Sequence, residues 1–263
     1  MKQTSKTLLL IFLFFGLYFM VDALYFKGLR QWLFGILYQL GISHIITYIL
    51  TGIPLFLGTA LLVQGVPFYK TLGLCKSVWK AFLFAAICTL PMFIGFSIFF
   101  EFNTTLSLNT VLISVVAAGF FEELYFRGYL FGLPFLKAKL GFIPAVFFGA
   151  LLFGLLHLYQ STDPMELLGI FLITFLGGIL FAWVYAEWNF NIWVPVFLHL
   201  LMNLSWELFS VSNHALGGLY ANVFRFITIA LIILFTLWYK RKKGFPLVVK
   251  RKTLFLQKEE ASR

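Results

Sequence analysis

The chain has 263 residues, of which 61% are hydrophobic, 20% aromatic and only 11% charged, with a formal net charge of +10 and a mean hydropathy of +0.94. A soluble chain carries roughly 25% charged residues, so this one lacks the polar groups to cover a surface that faces water. The composition excludes a soluble enzyme or binding module and leaves an all-α polytopic membrane protein.

In chain order, apolar runs bounded by charged or Gly/Pro-rich stretches predict about eight spanning helices: 7–25, 42–64, 78–100, 109–131, 142–160, 165–187, 190–211 and 218–240. The first run, KTLLLIFLFFGLYFMVDAL, is long for a signal peptide and has no small-residue cleavage site, so it reads as an uncleaved helix. The second is interrupted by Pro54, and residues 32–64 stay apolar for longer than one span needs, which leaves room for a re-entrant piece. An even count puts both termini on one side. Both are basic, with Lys2 and Lys6 before the first run and Lys240 to Lys243 and Lys250 to Lys252 after the last, so they are placed in the cytoplasm. Lys27 and Arg30, in the first outer loop, go against that pattern. The basic tail reads as a stop-transfer flank on anionic lipid, and nucleic acid is not an expected partner. Cys75 and Cys88 show no metal spacing, and no structural disulfide is expected. Residues 1–263 read as one transmembrane domain.

The fourth run contains FFEELYFRGYLFG, residues 120–132. Three unpaired charges at a helix centre would cost roughly 8–10 kcal/mol, so something must compensate them or use them. Glu123 and Arg127 are four apart, with the glutamate on the favourable side, which predicts a structural pair. Glu122 is rotated by about 100° and stays free. Gly128 and Gly132 have the small-xxx-small spacing that admits a neighbouring helix. His157 ends the run FFGALLFGLLH, and alone it reads as a packing residue. His199 and Asn203, in VPVFLHLLMN, share a face, which suits either an interhelical hydrogen bond or a wet cavity. Glu207 extends that stripe and is expected to pair with Arg127 or Arg225; His44 reads as packing. Glu122 and His157 are equidistant from residues 139 and 140, so two antiparallel helices joined there hold them at one depth. His199 falls about 8 residues, ~12 Å, from that level. A carboxylate and an imidazole together take a proton from water, and an imidazole and an amide donate to an oxyanion, so these groups are the parts of a hydrolytic site.

EELYFR (122–127), FGLLH (153–157) and HLLMN (199–203) together resemble the motifs E-E-x-x-x-R, F-x-x-x-H and H-x-x-x-N of the CAAX-protease and bacteriocin-processing (Abi) family of intramembrane proteases. The eukaryotic members of that family are type II prenyl-protein endopeptidases. The resemblance covers a core of about 110–210. It implies that Glu122 and His157 activate water and that His199 and Asn203 stabilise the oxyanion. The implied substrate is a peptide or a prenylated or lipidated protein in the lipid, and the implied location is a bacterial plasma membrane. The family is commonly labelled metalloprotease. A metal-free glutamate mechanism is favoured here, with zinc on Glu122, His157 and His199 as the alternative, because Asn203 is a poor zinc ligand and H-E-x-x-H is absent. Two rivals remain: a non-proteolytic bacteriocin self-immunity protein of the same fold, and a transporter using Glu122 and the histidines as a proton or metal-ion relay.

Overall fold

A computed structural model describes residues 2–256, so the 1–263 domain reading extends past the described residues at both ends. The described residues form an all-α polytopic membrane protein in which seven helices are long and apolar enough to cross a bilayer. The first, α1 (Lys2–Leu37), is longer than the sequence reading. Nothing in FKGLRQWLFGIL forces a stop, so Lys27 and Arg30 lie on the helix rather than in an outer loop. The second span breaks into α2 (Leu40–Thr51) and α3 (Ile53–Leu62). Pro54 brings no N–H for the helical ladder, and a Cβ on Gly52 would stand 2.0 Å from the Tyr125 hydroxyl. That hydroxyl donates instead to the Tyr48 carbonyl at 2.6 Å.

Helix α4 (Val78–Phe99) begins at a Ser77 cap. The next, α5 (Leu108–Leu136), is the helix of the two glutamates. Its stretch Val111–Phe131 is wound as a π-helix, and the Gly132 N–H bonds back to the Arg127 carbonyl. The sequence pattern predicts an ordinary α-helix there. The hydrophobic period does not distinguish the two windings, and wide π turns are frequent at functional sites. Helix α6 (Phe142–Leu156) ends at His157. Helix α7 (Pro164–Glu187) starts on an Asp163 cap that accepts from the Met165 and Glu166 N–H groups.

Helix α8 (Trp193–Leu208) is the short one, with 16 residues. At about 24 Å it falls below the ~30 Å hydrocarbon core, and it survives by being packed against protein. Its faces meet α4, α5 and α7. Its last carbonyls are taken by Asn103, whose side chain donates to Glu207 O and whose N–H donates to Leu208 O. Helix α9 (Leu219–Lys243) closes the bundle and ends at Gly244 in the left-handed region (φ +68°).

Helices α5 and α8 run antiparallel, joined at three levels. Asn203 Nδ2 donates to Ser114 O at 2.8 Å. Gly119 lies against the Leu200 backbone, where a Cβ would come within 3.0 Å of the N and Cα atoms. Lower down, His199 meets Glu123. The expected close approach at Gly128 is an ordinary contact (3.6 Å from Ile192), whereas Gly132 does admit Tyr185 of α7 (3.3 Å). Gly119 takes the tight crossing because α8, the helix nearest α5, reaches it there.

The basic tail is more than a flank. Lys240 is buried and paired with Glu187, whose carboxylate also accepts from the N–H groups of Val248 and Val249. Beyond it the chain passes under α6, where the Gly141 and Ile143 N–H groups donate to Phe255 O and Leu254 O.

Candidate active site

The two adjacent glutamates of α5 face different surroundings. Glu123 is fully buried, and its Oε1 is 3.1 Å from Arg127 Nη1 and 2.8 Å from His199 Nδ1. The predicted pair is present, but the carboxylate also holds a histidine from another helix, which sequence spacing cannot show. A carboxylate only accepts, so the His199 hydrogen facing it is on Nδ1. Nε2 then points toward Glu122, with 4.0 Å to its Oε2, beyond hydrogen-bond range. One imidazole therefore stands between both carboxylates. The ~12 Å offset expected for His199 is absent: its ring lies 4.0 Å from Glu122 and 2.8 Å from Glu123.

Arg127 is buried as well. Its guanidinium carbon lies 4.2 Å from the centre of the Phe153 ring and 5.6 Å from that of Phe181, a cation–π setting in a dry interior. On α6 the Phe153 ring also contacts the His157 ring at 4.5 Å, and the Phe153 carbonyl accepts from His157 Nδ1 at 2.7 Å. The neutral ring thus keeps its lone pair on Nε2. Phe153 links Arg127 to His157, a role the motif F-x-x-x-H contains but periodicity does not reveal.

Glu122 keeps 23% of its side chain exposed. It shares a cavity of about 230 Å³ with His157. The wall opposite is supplied by Tyr18 and Phe19 of α1 and Tyr48 of α2, which adds two helices to those that carry the three motifs. His199 approaches Glu122 from the α8 side, at 4.0 Å, and is not itself among the cavity's lining residues. Asn203 lies farther up the α5–α8 seam on Ser114 and is not among the cavity's lining residues. Glu207 pairs with neither arginine. Arg225 is satisfied by the Ala215 and Leu216 carbonyls and Asn222, and lies over Trp206. His44 does find a polar neighbour, Arg30 of α1 at 3.4 Å.

No three His, Cys, Asp or Glu side chains among the described residues come together as a metal-holding group. The engaged Nδ1 atoms of His157 and His199 leave Nε2 of each as the atom that could ligate a metal.

Residues 103–205, which contain all three motifs, match the family model described as type II CAAX prenyl endopeptidase Rce1-like. This segment is similar to the CAAX-protease family. A relative in Bacillus subtilis (strain 168), named "Putative membrane peptidase YdiL", is 36% identical over 93 residues, covering 35% of this chain. The match spans about a third (34%) of that relative's length. No solved structure matches the chain. The matched segment starts after α4, so the cavity wall made by α1 and α2 lies outside it.

Proposed function

We propose that the chain is an intramembrane endopeptidase that hydrolyses a peptide bond in a membrane-associated or lipidated substrate, with both termini in the cytoplasm. Glu122, assisted by His157 Nε2, takes a proton from water, and the water oxygen adds to the scissile carbonyl carbon. His199, as an imidazolium whose Nε2 also carries a hydrogen, and the second amide hydrogen of Asn203 donate to the oxyanion. Collapse breaks the C–N bond, and the proton on Glu122 passes to the departing amine. Glu123 and Arg127 hold His199 in place and take no part in proton transfer. One observation carries this reading: Glu122 and His157, from separate helices, line one cavity, while the neighbouring Glu123 is occupied by Arg127 and His199. The mechanism proposed is metal-free.

Glu122→Gln keeps shape and hydrogen-bonding capacity but cannot accept water's proton. Purified, it melts like the parent chain and cleaves a fluorogenic peptide at close to background. Glu123→Gln instead loses thermal stability by more than it loses specific activity per folded molecule. The parent chain keeps its rate after dialysis against a chelator. If Glu122→Gln cleaves like the parent, the mechanism is wrong and the immunity or transport readings take its place.

A further inference from the structure

Buried tyrosine hydroxyls are a strict accounting problem in a membrane, where an unpaired one has no water to turn to. Three in this bundle are satisfied by backbone carbonyls: Tyr125 on Tyr48 O, Tyr129 on Ile11 O and Tyr185 on Leu72 O. Two are not. Tyr18, only 7% exposed, and the half-buried Tyr48 make no hydrogen bond through their hydroxyls among the described residues, and neither hydroxyl is sealed off as a buried atom. Both line the cavity that holds Glu122 and His157. Their rings are fixed: Tyr18 stands edge-on to Tyr125 at 5.0 Å, and Tyr48 is stacked on Phe121 at 5.0 Å.

We infer that Tyr18 and Tyr48 bind the main chain of the substrate peptide beside the scissile bond. The inference rests on the hydrolytic reading above. A peptide leaving water for this cavity brings N–H and C=O groups that each need a partner. A phenol both donates and accepts, so it pairs with either. The entrance lies between α1 and the end of α6, where Phe19 and Leu156 are each 41% exposed and Tyr159 is 84% exposed. At about 230 Å³ the cavity is smaller than the roughly 300–1,000 Å³ of drug-sized sites, which suits a short extended apolar stretch rather than a whole lipid chain. Neither tyrosine falls within residues 103–205, so this recognition belongs to the part of the chain outside the family match.

The test uses the full chain in nanodiscs and the variants Tyr18→Phe, Tyr48→Phe, their double and, as contrast, Tyr125→Phe. Binding of a fluorescein-labelled Leu/Val-rich peptide is read by anisotropy in a Glu122→Gln background, where turnover does not interfere. Each single Phe variant weakens binding roughly 3- to 10-fold, the double more, with melting temperature unchanged or raised, because the hydroxyls had no partner in the protein. In the active chain the loss falls on KM rather than kcat. Tyr125→Phe lowers the melting temperature, since its hydroxyl is bonded. Unchanged peptide binding in the double variant, melting losses like those of Tyr125→Phe, or a parent chain that binds no peptide would each overturn the inference. The hydrolytic reading fails separately: a parent chain that binds the peptide through both tyrosines yet cleaves nothing sinks that reading alone.

Discussion

Glu122 and Glu123 are the same residue type one position apart, and their partners give them opposite work. Glu123, fully buried, is held by Arg127 and His199. Glu122 looks into the cavity with His157. Asn203 is the site residue whose surroundings differ most from expectation, because one amide hydrogen already ties α8 to Ser114 O. Its second hydrogen is the proposed oxyanion donor. Removing one such donor costs about 100- to 1,000-fold in turnover, so Asn203→Ala is expected to fall by that amount while still binding peptide. Cleavage per folded molecule and a melting curve check this. Parent-like turnover with a lower melting temperature would leave Asn203 as an interhelical tie alone.

At the scale of elements, the site depends on how closely α5 and α8 cross. Gly119 permits that crossing, since a Cβ there would meet the Leu200 backbone at 3.0 Å, where no flexible side chain can yield. Gly119→Val therefore pushes α8 outward and lengthens the 2.8 Å contact of His199 with Glu123. Overpacking of this kind costs about 1–3 kcal/mol. The expected result is a stability lowered by that amount, read as a lower melting temperature, and at least a tenfold loss of cleavage, measured on the same purified sample. Gly128→Ala, against ordinary contacts only, is the matched control and is expected to be mild.

At the scale of the molecule, the C-terminal segment is fastened to the bundle through Glu187. Its buried carboxylate gathers Lys240 and the N–H groups of Val248 and Val249. Glu187→Ala leaves a buried lysine without its counter-charge, a change that costs roughly 3–5 kcal/mol. The tail should also come free of α6. Limited proteolysis that cuts at residues 250–252 in the variant and spares the parent chain would show it, alongside a lowered melting temperature. Equal protection of both would mean the tail is held by its contacts with Gly141 and Ile143 instead.

The sequence by itself determined the solvent, the all-helical class and the places where charge enters the membrane. Each of these follows from composition or from spacing within one helix, as with Glu123 and Arg127 at four residues. It also placed most helix boundaries close to those observed, because apolar runs and the charged or Gly/Pro-rich stretches that bound them are local signals. The tertiary structure decided what depends on contact between helices. His199 reaches Glu123 across the Gly119 crossing, and Phe153 joins Arg127 to His157. Tyr18 and Tyr48 face the two catalytic candidates from helices far away in the chain. Periodicity reports which face of a helix is apolar, but which helix will cover that face is set only when the bundle packs.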